Sequence, residues 1–242
     1  MKLNQKTALV TGANRGIGRA TVEALLAAGA TKVYAAARSI DRLPEFGDSR
    51  VHTLELDVTD PASVAAAAAE AKDVNLLINN AGTAHFGGVL DSPLGDIEAD
   101  MRVNYFGTLD VIRQFMPVLE NNADPAIVNV VTIAAFVNFP GLGGYSASKA
   151  ALYSLTQGLR IDLAPRGISV HTVNPGPIDT DMAKDLEMAK TSPEEAARRI
   201  LQGLENDEAD IFPDDGSEQM FGVWRGNYRD LEQAIYDMHH AA

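Results

Sequence analysis

The chain contains no cysteine. That excludes disulfides, thiolate nucleophiles and cysteine-held metal sites. Positive charge is also scarce: 20 Lys and Arg stand against 33 Asp and Glu, a net charge of −13. This balance disfavours nucleic acid and anionic membranes as partners. No apolar run is long enough to span a bilayer. The five histidines are scattered and show no metal-ligand spacing, so no metal is expected. The opening Met-Lys-Leu-Asn-Gln-Lys is too short before the first apolar run to be a signal peptide, and the expectation is a cytoplasmic protein.

What is present is an alternation of strand and helix patterns. Apolar runs at 7–10, 32–38, 51–56, 74–78, 126–132, 168–173 and 209–212 read as strands. Helices are predicted over 19–28, from Pro61 behind an Asp60 N-cap, over 97–119, 146–164 and 192–204, and over 228–238. Ser192-Pro193-Glu194-Glu195 has the form of a capping box with proline at N1. The acidic residues of 205–210 and Asp214-Asp215 read as a solvated turn around the last strand. Alternation of this kind predicts an α/β fold with a doubly wound, mostly parallel sheet of about seven strands, the Rossmann architecture. All 242 residues form a single domain in this reading, with no linker or repeat.

Two local patterns carry chemistry. The first strand runs into Thr11-Gly12-Ala-Asn14-Arg15-Gly16-Ile17-Gly18 and then into a helix. Strand, glycine turn and helix together suit a pyrophosphate, because glycines admit its close approach and the helix N-terminus offers free N–H groups. The spacing is G-x-x-x-G-x-G rather than G-x-G-x-x-G. The second pattern is Tyr145-x-x-x-Lys149, which a helix places on one face. A nearby ammonium favours the phenolate and lowers the phenol's pKa, so the pair can pass a proton to or from an alcohol oxygen.

Together these motifs resemble the short-chain dehydrogenase/reductase superfamily over about residues 5 to 180. The resemblance implies that Gly12, Asn14, Arg15, Gly16, Ile17 and Gly18 form the coenzyme turn, and that Asp57 and Val58 meet the adenine. It assigns Asn80, Ala81 and Gly82 to the coenzyme, and Pro175, Gly176, Ile178 and Thr180 to the segment holding the nicotinamide carboxamide. Tyr145 and Lys149 become the catalytic pair, Lys149 also binding the nicotinamide ribose. Asn104 supports a water of the proton relay. Where the family usually has a catalytic serine, thirteen residues before the tyrosine, this chain has Thr132. Threonine keeps the hydroxyl, while its methyl restricts χ1 and narrows the pocket.

The second strand bears on coenzyme choice. An NAD site places Asp or Glu near its end for the ribose 2′-OH. Ala37 stands there instead, followed by Arg38, and Arg15 adds a second cation. Arginines suit a 2′-phosphate, so NADP(H) is expected. The expected activity is hydride transfer between nicotinamide and a carbonyl or secondary alcohol, with a small molecule as partner. His85, Phe86, Phe136, Val137, Asn138 and Leu142 are the expected substrate lining, and the short 180–192 segment suggests an open pocket. An imine, an activated C=C bond or a sugar nucleotide as substrate remains an alternative, as does a nucleotide sensor without catalysis. The resemblance also implies a homodimer or homotetramer. Residues 213–242 depart from the family pattern and read as a helix packing on its own sheet.

Overall fold

Seven strands line up in the order β3-β2-β1-β4-β5-β6-β7, every neighbouring pair parallel. They are β1 Thr7–Thr11, β2 Lys32–Ala37, β3 Val51–Glu55, β4 Leu76–Asn79, β5 Ala126–Val130, β6 Ser169–Val173 and β7 Asp210–Ile211. The computed structural model describes residues 1–240. The central strands read as unbroken apolar runs because helices cover both faces of the sheet. Leu9, Leu77 and Ile127 point to one face, packing with Val64, Ile112 and Phe115. Their neighbours Val10, Ile78 and Val128 point to the other, packing with Val22, Leu25 and Leu204.

Helices α1 (Gly16–Ala27) and α6 (Pro193–Glu205) lie on the second face, and α2 (Pro61–Glu70) and α4 (Thr108–Glu120) on the first. The predicted punctuation holds. Asp60 caps α2 by accepting from the Ala62 amide, with Pro61 at N1. Gly29 ends α1 at φ 82°, a conformation that favours glycine. Only half of the predicted capping box forms. The Ser192 hydroxyl accepts from the Glu195 amide at 3.1 Å, but the Glu195 carboxylate turns to Arg198 and Arg199.

The helix predicted over 97–119 differs in its middle. It is α3 (Leu94–Met101), six residues of π-helix (Arg102–Gly107), then α4. The Thr108 amide donates to Tyr105 O, whereas a regular α-helix would aim it at Asn104. The stretch presses on the loop after β3: a Cβ on Gly107 would lie 2.8 Å from Val58 O. Such single turns mark functional positions, and Asn104 sits in this one.

The C-terminal region also differs. Besides the predicted helix, here α8 (Tyr228–His240), there is α7 (Asp215–Gly226). Gly216, Gly222 and Gly226 hide it from propensity, since each weakens a helix by about 1 kcal/mol. Packing compensates. Phe221 and Trp224 stack on one another and meet Phe136 edge-on. The expected solvated turn is corrected in part. Asp210 pairs with Arg160 at 2.8 Å, and Asp214 is buried as the N-cap of α7. Both have partners distant in sequence.

Candidate active site

The sheet reverses its strand order between β1 and β4, and in open α/β sheets ligands bind in the crevice at such a point. The glycine turn occupies it. Gly12 and Gly16 have φ of 67° and 54°, which L side chains rarely adopt. A Cβ on Gly18 would lie 2.3 Å from Gly12 O and 2.4 Å from the Asn80 side chain. No side chain caps the N-terminus of α1 behind Arg15, so its first amides are free for an anion. The residues present therefore fit a dinucleotide pyrophosphate.

Asn80 braces this cradle. Its side-chain amide donates to Thr11 O at 2.9 Å and Gly12 O at 3.1 Å, while the Asn80 and Ala81 amides both donate to the Thr11 hydroxyl at 3.0 Å. Asp57 turns one carboxylate oxygen onto the Thr59 amide and hydroxyl, and Val58 is buried behind it. Arg38 is exposed directly after β2 and forms no ion pair among the described residues. Arg15 is paired with Asp181 at 2.7 Å, both about two-thirds exposed at 66% and 68%. Such exposed pairs contribute at most about 1 kcal/mol.

Tyr145 and Lys149 lie one turn apart on α5 (Gly143–Leu163). Small residues let this helix approach: a Cβ on Gly144 would lie 2.9 Å from Ile97. Lys149 is buried, donates to Val130 O at 2.8 Å, and lies 5.9 Å from the centre of the Tyr145 ring. A Cβ on Gly82 would lie 3.1 Å from Asn104 Oδ1 and 3.4 Å from Lys149 Nζ, so all three converge. Both donors of the Asn104 side chain are engaged. The side chain donates to Thr83 O and the Ser148 hydroxyl at 2.9 Å each and accepts from the Thr83 amide at 2.9 Å.

The electrostatics correct the sequence reading of Tyr145. Burial pushes its phenol up to about 12, the Thr132 hydroxyl opposes this only in part, and the Asp100 charge adds to it. Although part of the residue faces solvent, desolvation of the charged form dominates. Lys149 is the complement: burial lowers it to about 8, against a smaller upward pull from Asp100. A lysine one turn away does not outweigh the loss of water when its ammonium is bonded to a backbone carbonyl instead.

A scan of family models matches residues 6–191 to the short chain dehydrogenases. The chain belongs to this family. Oxidoreductase UcpA of Escherichia coli is 32% identical over 234 residues, 87% of this chain and 88% of the relative. A short chain dehydrogenase from Burkholderia cenocepacia, solved in complex with NADP, is 38% identical, with a TM-score of 0.93 over 97% of this chain and 99% of that one. A short chain dehydrogenase/reductase from Burkholderia phymatum, solved with NAD, is 25% identical, with a TM-score of 0.83 over 97% and 96% of the two chains. This short-chain dehydrogenase is thus an oxidoreductase of the nicotinamide-dinucleotide class on an α/β Rossmann sheet. Among the described residues no helix is long and apolar enough to cross a membrane, and no group of three or more His, Asp or Glu is placed to hold a metal.

Thr132 follows β5, with its hydroxyl donating to Pro175 O at 3.0 Å and accepting from the Ala134 amide at 3.2 Å. Two of the expected lining residues are turned elsewhere. Phe136 packs in an aromatic cluster with Tyr153, Phe212, Phe221 and Trp224, and Val137 is buried against Leu231 and Ile235. Helices α7 and α8 supply apolar surface that nothing near position 136 announces. Phe86, Asn138, His85 and Leu142 keep exposed surface. Their loops are joined, since the Gly87 amide donates to Gly141 O at 2.8 Å and the Gly143 amide to Gly87 O at 3.2 Å.

The dehydrogenase also uses residues that its motifs leave unmentioned. The buried Asp214 accepts from the Gly176 amide at 2.8 Å and from the Ser217 amide and hydroxyl at 2.8 Å each. It ties α7 to the segment holding Pro175, Gly176, Ile178 and Thr180. Its one signal in sequence is the helix-capping spacing from Asp214 to Ser217. Asp100, fully buried, holds His85.

Proposed function

We propose that this short-chain dehydrogenase is an NADP(H)-dependent carbonyl reductase or alcohol dehydrogenase. The observation that carries the reading is the convergence of Tyr145, Lys149 and Asn104 beside the glycine cradle. When bound, the coenzyme supplies or accepts the hydride. Gly12, Asn14, Gly16, Ile17 and Gly18 would hold its pyrophosphate, Arg15 and Arg38 its 2′-phosphate, and Asp57, Val58 and Ala81 its adenosine side. Lys149 would hold the nicotinamide ribose, and Pro175, Gly176, Ile178 and Thr180 the carboxamide. The NADP complex of the Burkholderia cenocepacia relative and the two arginines support the phosphorylated coenzyme.

Tyr145, protonated at neutral pH, donates to the oxygen of a carbonyl being reduced, and takes the proton back when an alcohol is oxidised. Thr132 holds the same oxygen. A hydroxyl has one proton and two lone pairs. The proton is on Pro175 O and one lone pair accepts from the Ala134 amide, so the second lone pair is left to accept, from the Tyr145 hydroxyl beside it or from an alcohol. Donating to a carbonyl requires the proton to leave Pro175. Rates with a panel of ketones and alcohols, each with NADPH, NADH and their oxidised forms, test the assignment. Turnover confined to NADH, or to imine or C=C substrates, would overturn it.

Thr132→Ser is expected to retain activity. Thr132→Val should lower turnover roughly 10–10³-fold, the scale for losing one donor to a developing oxyanion. It should also weaken coenzyme binding, because Pro175 O loses its donor. Steady-state rates and coenzyme titration check both effects. A packing role predicts the opposite ranking, with Val tolerated and Ser impaired. The partner surface follows from exposed apolar residues: Phe106 is 59% and Ile161 76% exposed. These support pairing of the long helices in a homodimer or higher homo-oligomer, which sedimentation velocity tests.

A further inference from the structure

We propose that His85, fixed by Asp100, positions substrate by accepting a hydrogen bond from a hydroxyl group next to the reacting carbon. The inference rests on the carbonyl-reductase reading above and names a substrate class for it: hydroxyketones and the diols they form. Asp100 lies one turn before Asn104 on α3, with no exposed surface. A carboxylate is kept in such a place only with partners. Both partners come from one residue. Oδ1 meets His85 Nδ1 at 2.7 Å, and Oδ2 accepts from the His85 backbone amide at 3.3 Å.

This arrangement selects a tautomer. The carboxylate can only accept, so in the neutral ring the proton sits on Nδ1 and Nε2 carries a lone pair. Nε2 has no protein partner among the described residues, and 40% of the side chain is open to solvent. The loop is pinned on both sides of His85, at Thr83 by Asn104 and at Gly87 by Gly141 and Gly143. Gly143 is two residues before Tyr145. The charge of Asp100 also acts on both Tyr145 and Lys149. A fixed acceptor backed by a negative charge suits a neutral donor. A substrate hydroxyl is one; a plain ketone offers none, and an anionic group is repelled.

The test uses the full-length enzyme with NADPH and two ketones of equal carbon skeleton, butanone and its hydroxylated form acetoin. Wild type should favour acetoin in kcat/KM by at least about tenfold, chiefly through KM, because butanone leaves the Nε2 acceptor without a substrate donor. His85→Phe should bring the ratio near one. Asp100→Asn gives a sharper readout. The His85 backbone amide must still meet an oxygen, so the new NH₂ faces Nδ1, and the ring proton moves to Nε2. Diacetyl, which only accepts, should then gain on butanone, while acetoin, whose hydroxyl can also accept, keeps part of its advantage. A merely structural Asp100 would lower all three substrates together. An unchanged acetoin ratio in His85→Phe, or no gain for diacetyl in Asp100→Asn, overturns the proposal. If His85→Phe does not fold, the Asp100→Asn result decides. Wild type reducing both ketones without preference overturns this inference alone, whereas reduction of neither removes the carbonyl-reductase reading with it.

Discussion

Tyr145→Phe is expected to lower turnover by at least ~10²-fold, because the positioned acid and base is lost. The ring remains, and coenzyme affinity and thermal midpoint should change little. Single-turnover rates with NADPH and a good ketone, beside a coenzyme titration, provide the measurement, and near-normal turnover would place proton transfer elsewhere. The raised phenol adds a pH signature. With Tyr145 pushed up to about 12, the group stays protonated throughout the neutral range. Carbonyl reduction needs that proton, so its rate should hold as pH rises toward 9. Alcohol oxidation needs the proton absent, so its rate should climb with pH, ideally tenfold per unit below the pKa. A reduction rate that instead climbs with pH would mean Tyr145 does not carry the proton.

Arg38→Asp should weaken NADP(H) by about 2–4 kcal/mol, a charge-assisted contact having been replaced by repulsion. NADH binding should change much less. Arg38 is exposed, makes no ion pair among the described residues, and follows a strand whose last residue is Ala37. Ala37 itself offers a ribose hydroxyl no carboxylate. Arg15 differs because Asp181 already holds it. An exposed pair of this kind contributes at most about 1 kcal/mol, so Asp181→Asn should tighten NADPH by less than about fivefold. Fluorescence titration of wild type and both variants checks these values. Tighter binding of NADH than NADPH by wild type would reverse the coenzyme assignment.

Features set within a few residues were legible from the amino-acid order alone. The glycine turn, the i, i+4 pair on α5, the Asp60 and Ser192 caps and the seven apolar runs depend on covalent stereochemistry and local periodicity, which neighbouring residues reveal. The family and its fold followed from their order along the chain. Tertiary structure alone decided what meets what across long sequence distances. It placed Asp214 on Gly176, Asp100 on His85, the Thr132 proton on Pro175 and the Phe136 ring among residues from α7. It also reversed the pKa expected for Tyr145. The adjacent lysine is visible in sequence, but the amount of water removed from a phenol depends on every element packed around it. Burial and long-range contact are properties of the assembled core, so no local pattern records them.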